Sequence, residues 1–325
     1  MGYSVPMNSS GSSASDLPQG RFDPDLAYEA ARMYYLESIN QAEIAERLSV
    51  SRPTVSRLVA EAKRLGMVRI EVVPLRDRDE STLAGQLQQA LGIESVRIGP
   101  TGTADRPGNS LRAELTRSLN ACELRPGAIV MVASGRTAYE LAHGPLPSLA
   151  GIQVIPSVGG VSEPEAWHQS NEITRAFAER TLGRPNFLFA QALPSAAMFE
   201  SLRQDEEFQR VTSMWAKAAV AIVGVGAPPT SRHSISQAIP VATGSLDRAV
   251  GDICLNFYDY TGAAVDFPGS ERLVRVPADT LRLIPHTIAV AIGQDKVGSI
   301  TAGARAGMFN ELITDVATAS SLVRA

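Results

Sequence analysis

The sequence predicts an α/β protein in which an all-α helix-turn-helix domain precedes a Rossmann-like domain with a doubly wound parallel sheet. Two observations support this prediction. Residues 25–66 show apolar side chains at helical spacing, interrupted by short turns. After residue 80, short apolar runs that end in Gly or Ser alternate with helical stretches, which is typical of parallel strands joined by helices.

Length and composition agree with two folded domains. A chain of 325 residues is too long for one ordinary core. A hydrophobic fraction of 44% and a net charge of −4 are ordinary for globular proteins and exclude fibrous or wholly disordered classes. Residues 1–24 are rich in Ser, Gly and Pro and predict a disordered tail. We place the helical domain at residues 25–76 and the larger domain at residues 77–325.

The cellular compartment and the metal content are predicted from three sequence features: the apolar runs, the N-terminal stretch and the cysteines. No apolar run reaches the roughly 20 residues that a membrane span requires, and the N-terminal stretch has no apolar segment of signal-peptide length. The two cysteines, Cys122 and Cys254, lie in apolar surroundings and predict buried free thiols rather than a metal site. We therefore expect a cytoplasmic protein without metal, cofactor or membrane contact.

Three short helices open the folded part of the chain. The first begins near Asp25, and the second follows Asn40, a suitable N-cap. Ser51 is a suitable N-cap for the third helix, which carries Pro53 in its first turn and ends at Gly66. Residues 67–73 alternate like a strand, which is either part of a wing or the start of a charged linker.

The third helix has the pattern of a DNA-recognition helix. Its apolar face, formed by Val55, Leu58, Val59 and Ala62, is predicted to pack on the first two helices. The remaining residues near the start of this helix are predicted to be exposed, and each carries a hydroxyl or a guanidinium group that can hydrogen-bond to phosphates and base edges. They are Ser51, Arg52, Thr54, Ser56 and Arg57. Residues 47–76 contain seven basic and two acidic residues. Together these features predict binding to double-stranded operator DNA.

The larger domain is predicted from five apolar runs, which we expect to be strands: residues 128–132, 152–156, 218–226, 287–293 and 311–314. In such sheets, ligands bind beyond the carboxyl ends of the strands. The segment Ser134-Gly135-Arg136-Thr137 follows the first of these runs. Its backbone N–H groups at a helix N-terminus and its hydroxyls would hold an anion, although a plain tight turn is the alternative.

The whole chain also resembles a known family. The segment from Tyr34 to Val72, together with "SGRT", "VGG", "GDICLNFYD" and the run from "IAVAIGQDK" to "ATASSL", is similar in content and order to the SorC family of sugar-binding transcriptional regulators. The resemblance covers residues 26–323. It implies a sheet domain of the sugar-phosphate isomerase and deaminase type, a homotetramer, and DNA binding modulated by a sugar, polyol or sugar phosphate.

The resemblance also implies effector-binding positions. Lys296 matches the family's glycine-to-lysine motif, in which the lysine lies near the effector's phosphate; a solvated surface lysine is the alternative. Asp252 and Asp259 match acidic positions that would accept hydrogen bonds from sugar hydroxyls or would instead cap turns. Gly159 and Gly160 allow backbone to approach the effector or simply form a turn. Ser134 departs from the family, which commonly has an aromatic residue there, so this wall of the pocket is expected to differ.

Two further hypotheses compete with this interpretation. A sugar-phosphate isomerase or deaminase tethered to a DNA-binding domain would need a positioned general base. The general base is not indicated by any motif shared among the four histidines, His143, His168, His233 and His286. Asp315, which precedes the last helix, is expected to be an N-cap and not a site residue. A recombinase would need a catalytic serine domain, which the strand-rich remainder does not resemble.

Overall fold

The computed structural model describes residues 22–68, 78–102, 106–161, 163, 165–232, 239 and 244–325. The chain divides into two compact units between Leu75 and Arg76. Nearly all of the predicted tail and most of the predicted strand at residues 67–73 lie outside the described residues. None of the helices in the described ranges is long and apolar enough to cross a membrane.

The N-terminal unit contains α1 (Pro24–Tyr35), α2 (Gln41–Arg47) and α3 (Arg52–Arg64). The predicted apolar face of α3 is buried and packs in one small core with residues of α1 and α2. Fully buried alanines of α1, Ala27 and Ala30, have no bulk beyond Cβ and so let the helices approach closely. The predicted helix-turn-helix arrangement is confirmed.

The predicted helix ends are confirmed by their hydrogen bonds. Asn40 Oδ1 accepts the N–H groups of Ala42 and Glu43 at 3.1 and 3.0 Å, and Ser51 Oγ accepts the Thr54 N–H at 3.3 Å. At the end of α3, Gly66 adopts φ +76° and donates its N–H to the Lys63 carbonyl at 3.0 Å. Glycine reaches this left-handed conformation without steric cost, which is why the helix ends there.

The larger unit contains nine strands and nine helices in the described ranges. In its first half these are α4 (Arg78–Leu91), β1 (Ser95–Gly99), α5 (Arg112–Ala121), β2 (Ile129–Val132), α6 (Arg136–Ala142), β3 (Gln153–Pro156), α7 (Ser170–Thr181), β4 (Arg184–Pro185), α8 (Ala196–Gln204) and α9 (Glu206–Ser213). In its second half they are β5 (Ala218–Gly224), β6 (Gly251–Ile253), β7 (Asn256–Tyr258), α10 (Ala278–Leu283), β8 (His286–Val290), α11 (Val297–Arg305), β9 (Glu311–Asp315) and α12 (Val316–Arg324).

Seven strands form one parallel sheet in the order β1-β9-β8-β5-β2-β3-β4. The five predicted strands are confirmed as β2, β3, β5, β8 and β9. The chain leaves β2 towards β3 and β4, and then β5 returns to the other edge of β2. This reversal makes the β2–β5 boundary a topological switch point, where doubly wound sheets open a crevice.

Both faces of the sheet are buried. Val130 and Val132 point into a core shared with α5, α6 and α7, whereas Met131 points into the core on the opposite face. Ile222 and Val223 on β5 alternate in the same way. Strands covered on both sides read as continuous apolar runs, which explains why these were recognisable in the sequence.

Some elements differ from the prediction. The antiparallel hairpin β6–β7 was not predicted, because its two-residue turn is Cys254-Leu255 instead of the Asn or Gly expected at φ +51° and +60°. The charged linker was predicted over residues 73–80 but ends earlier, since α4 begins at Arg78 and includes Glu80. An acidic residue in the first turn of a helix is favoured by the helix dipole.

Candidate DNA interface and ligand cavity

The N-terminal end of α3 presents the residues predicted to touch DNA. Ser51, Arg52, Ser56 and Arg57 are exposed, and Thr54 is half-buried. Ser51 Oγ lies 2.8 Å from Thr54 Oγ1, so these two hydroxyls are engaged with each other and with the helix end. Arg52 and Arg57 make no ion pair with any residue that the structure describes. Both guanidinium groups are therefore available to phosphates or bases.

Other basic side chains of this unit are paired internally. Arg47 contacts Glu43 at 2.6 Å, and Arg64 contacts Glu61 at 2.6 Å. Lys63 lies over the ring of Tyr35, 5.6 Å from its centre. The positive charges without a partner among the described residues are thus concentrated at the N-terminal end of α3. In recognition helices, the N-terminal end enters the major groove.

In the larger unit, a cavity of about 330 Å³ opens at the carboxyl ends of β2, β3, β5 and β8. Its lining includes six of the nine predicted effector-binding residues: Ser134, Gly135, Arg136, Thr137, Asp252 and Lys296. Gly159, Gly160 and Asp259 do not line it. The position agrees with the switch point of the sheet.

The loop between β2 and α6 depends on Gly135. Its φ of +124° and ψ of 157° are essentially restricted to glycine, and a Cβ there would meet only open space. Its N–H donates to the Trp167 carbonyl at 2.8 Å and is therefore not available to a ligand. The N–H groups left for an anion are those of the first turn of α6, which helices cannot satisfy internally.

The side chains of this loop differ in availability. Within the described part of the chain, the Ser134 and Thr137 hydroxyls make no hydrogen bond. Arg136 is half-exposed and pairs with Glu140 at 3.1 Å, one turn along the same helix. Glu140 Oε2 also accepts the Gly108 N–H at 2.7 Å. Of this segment, the two hydroxyls are the side chains most open to a ligand.

Lys296 brings a positive charge to the opposite wall. It ends the short 3-10 helix Gln294–Lys296 beyond β8, and it forms no ion pair with the residues described. Burial lowers the pKa of Lys296, while the nearby carboxylates of Asp295 and Asp252 act in the opposite direction. An ammonium group that is poorly solvated and unpaired is suited to an anionic ligand.

Arg232 is a cavity residue that sequence reasoning missed. Its Nη2 donates to Asp252 Oδ1 at 2.5 Å, and Asp252 Oδ2 accepts the Leu255 N–H at 2.9 Å. Both oxygens of this buried carboxylate are therefore engaged by the protein itself. Arg232 follows β5 in a loop, so only the general rule that ligands sit at strand ends could have pointed to it.

Trp167 and His168 form another wall that the sequence did not reveal. Trp167 Nε1 donates to His168 Nε2 at 3.1 Å. Burial lowers the pKa of His168, with the charge of Arg232 contributing in the same direction and Glu165 opposing it. The histidine is therefore neutral at pH 7, with Nε2 acting as an acceptor.

The three predicted residues outside the cavity have structural contacts. A Cβ on Gly159 would lie 2.8 Å from the Ala190 carbonyl, and the Gly160 N–H donates to that same carbonyl at 2.8 Å. Asp259 Oδ1 accepts the hydroxyl and N–H of Thr261 and the N–H of Ala263, which lowers the pKa of Asp259. Asp315, as expected, caps α12 by accepting the Thr318 N–H at 2.8 Å.

A helix-turn-helix unit with exposed arginines on its third helix and a parallel-sheet unit with a ligand-sized cavity define a ligand-binding transcriptional regulator. Comparison with known families agrees. Residues 77–324 match the family described as "Putative sugar-binding domain", and residues 33–79 match the MarR family.

Individual relatives extend over nearly the whole chain. The Deoxyribonucleoside regulator of Bacillus subtilis is 33% identical over 314 residues, which is 92% of this chain and 97% of that protein. The Sorbitol operon regulator of Klebsiella pneumoniae is 28% identical and covers 93% of this chain and 98% of its own. The crystal structure of that full-length regulator, SorC, superimposes with a TM-score of 0.68 at 25% identity, over 92% of this chain and 99% of SorC. The chain belongs to the SorC family of sugar-binding transcriptional regulators.

Proposed function

We propose that this protein binds a specific operator through α3 and that a phosphorylated sugar or polyol in the cavity modulates that binding. The observation that carries the phosphate part is Lys296, a half-buried ammonium without an ion pair among the described residues, which lines the same cavity as the Ser134 and Thr137 hydroxyls. The names of two relatives refer to deoxyribonucleosides and to sorbitol, which supports an effector derived from a carbohydrate.

The DNA-binding part is tested by removing the two unpaired guanidinium groups. Bound sequences are first selected from a random duplex library, and the variants are then titrated against the selected site. Arg52→Ala and Arg57→Ala should each weaken binding by about 1–3 kcal/mol if the side chain reads a base. Loss of a phosphate contact should weaken binding to all sequences alike and also reduce its salt dependence. Arg47→Ala is the control, because Arg47 is paired with Glu43. Unchanged binding by both test variants would exclude α3 as the reading helix.

The effector part is tested by calorimetry with free and phosphorylated ligands. Lys296→Ala and Thr137→Ala should each weaken binding of a sugar phosphate and abolish its effect on DNA binding, while DNA binding without effector stays intact. Equal affinity for a free polyol and its phosphate would contradict the phosphate requirement, because a charge contributes only to the charged ligand.

Self-association is part of the same proposal. One helix-turn-helix unit buries too little surface for operator specificity, so we infer a homotetramer whose paired units contact successive major grooves about 34 Å apart. The effector then acts by binding two arrangements of the subunits unequally. Sedimentation equilibrium tests the tetramer, and the selected DNA should contain an inverted repeat. A monomeric protein bound to a single half-site would contradict this model.

The enzyme hypothesis is disfavoured by two contacts in the cavity. His168 Nε2 already accepts a hydrogen bond from Trp167, and Asp252 is ion-paired with Arg232. Both groups are thus held by the protein itself, whereas a general base must be positioned for proton transfer with the substrate. Incubation with ribose 5-phosphate or glucosamine 6-phosphate, followed by product analysis, should therefore show no turnover.

A further inference from the structure

The cavity contains two buried polar atoms that lack a strong hydrogen-bond partner among the residues described; the Ser157 hydroxyl has only the thiol of Cys254 beside it. They are Ser157 Oγ and Arg232 Nε, and both residues line the cavity. Ser157 is completely buried. Buried polar atoms in folded proteins are nearly always satisfied, so two such atoms in one cavity indicate that something else completes their hydrogen bonding.

The main chain of Ser157 is held by two backbone hydrogen bonds. Ser157 directly follows β3; its N–H donates to the Val132 carbonyl at 3.0 Å, and its carbonyl accepts the Val276 N–H at 2.8 Å. The residue is thus held between β2 and the segment near residue 276.

The charges nearest the neighbouring Cys254 thiol, those of Asp252 and Arg275, act on its pKa in opposite directions, so neither sign of charge dominates beside Ser157. Val158, Cys254 and Leu255 line the same cavity. Burial raises the pKa of the Cys254 thiol to about 12, so it is neutral at physiological pH. A thiol is a weak hydrogen-bonding group and cannot substitute for a strong partner. The environment therefore suits a neutral polar group of a ligand better than an anionic one.

We propose that Ser157 is a specificity-determining residue whose Oγ hydrogen-bonds a hydroxyl group of the bound sugar or polyol. The inference rests on the proposed function and deepens it, because it assigns the uncharged part of the effector to the end of β3. The phosphate is assigned separately to the side of Lys296. Ser157 can either donate to or accept from a hydroxyl, so it suits such a group in both orientations.

Ser157→Ala should affect ligand binding and not folding. Because the only protein partner of Ser157 Oγ is the weakly hydrogen-bonding Cys254 thiol, Ser157→Ala should change the Tm of the ligand-free protein little. The affinity for a sugar phosphate should fall on the order of three- to tenfold, the effect of one neutral hydrogen bond. A purely structural serine would show the reverse.

Ser299 provides the matched control. It is also buried, but its Oγ donates to the Val250 carbonyl at 2.6 Å and it does not line the cavity. Ser299→Ala should therefore lower the Tm, because it leaves a buried carbonyl without its donor, and should keep the affinity for sugar phosphates.

The experiment uses the full-length protein and both variants. Calorimetry measures affinity for ribose 5-phosphate, glucose 6-phosphate and inorganic phosphate, and thermal unfolding is measured without ligand. The expected result is weaker sugar-phosphate binding by Ser157→Ala only, with inorganic phosphate bound as by the parent. If the parent binds neither sugar phosphate, the proposed function is overturned together with this inference. If the parent binds one of them and Ser157→Ala binds it equally well, or loses inorganic phosphate to the same extent, only the role of Ser157 is overturned.

Discussion

Arg232 and Asp252 join two separate segments of the cavity wall. Arg232 Nη2 donates to Asp252 Oδ1 at 2.5 Å, which ties the loop after β5 to the hairpin β6–β7. The Asp252 side chain is only 8% exposed, so its charge depends on this partner for compensation. Asp252 therefore has a structural role in the ligand-free protein, whatever it contacts in the effector.

Removal of Arg232 should destabilise the larger unit. Arg232→Ala leaves a buried carboxylate without its charged partner, and we expect the free energy of unfolding to fall by about 1–3 kcal/mol. Arg203→Ala is the control, since Arg203 meets Glu200 at 3.5 Å and both side chains are more than half exposed. That change should stay within about 0.5 kcal/mol. Urea unfolding measures both, and equal effects would contradict the importance of the Arg232 pair.

Gly226 should be intolerant of any side chain. A Cβ at this position would lie 2.1 Å from Asp252 Oδ1 and 2.6 Å from Arg232 Nη1, inside the ion pair. Gly226→Ala should lower stability by about 1–3 kcal/mol through overpacking and should impair ligand binding. Gly224→Ala is the comparison, because its nearest neighbour would be the Ser134 carbonyl at 3.9 Å. The prediction fails if thermal unfolding shows the two variants to be equally stable.

Ser51 has two possible contributions, which substitutions can separate. Ser51 is the N-cap of α3, so Ser51→Ala should lower the free energy of unfolding by about 1 kcal/mol. Ser51→Asp keeps a capping oxygen and adds a negative charge that the helix N-terminus favours, so stability should be retained. The same charge should repel DNA phosphates and weaken operator binding. Thermal unfolding together with DNA titration checks both effects, and operator binding by Ser51→Asp at parental affinity would place Ser51 away from the DNA backbone.

The affinity for a phosphorylated ligand should depend on pH through Lys296. Burial lowers the pKa of Lys296 from its usual value of 10.5, so the ammonium loses its proton as the pH rises through that lowered value. Above pH 7.5 a phosphate monoester is already a dianion, since its second pKa is about 6. His168 has a lowered pKa and is neutral there, and the Cys254 thiol, with a pKa of about 12, remains protonated. Binding of ribose 5-phosphate should therefore weaken between pH 7.5 and 10.5.

Stability should change in the opposite direction over the same range. Between the lowered pKa of folded Lys296 and 10.5, the unfolded chain binds more protons, so the contribution of Lys296 to the free energy of unfolding rises with pH. Lys296→Ala should abolish this contribution and also flatten the pH dependence of ligand affinity. Calorimetry and urea unfolding at several pH values check the two slopes. An unchanged pH profile in the variant would show that another group controls binding.

Part of the candidate site could be predicted from recognisable strands, whereas Asp252 and Lys296 were implied only by the family resemblance. Ser134 and Thr137 follow the apolar run of β2, so the rule for parallel sheets located them. Both Asp252 and Asp259 were predicted to bind the effector, but Asp252 lies on β6 in the cavity wall, whereas Asp259 caps a turn after β7. Nothing in a linear pattern distinguishes these positions, because they differ in which way the hairpin folds against the sheet.

The sequence by itself determined the features that depend on neighbouring residues: the caps at Asn40 and Ser51, the end of α3 at Gly66, and the buried strands with their apolar side chains. These are decided within a few residues, by local hydrogen bonds and by side-chain periodicity. The tertiary structure alone decided that Ser157, Trp167 and Arg232 meet in one cavity. Their convergence depends on the strand order, in which β5 returns beside β2, and that order results from packing between segments far apart in the chain.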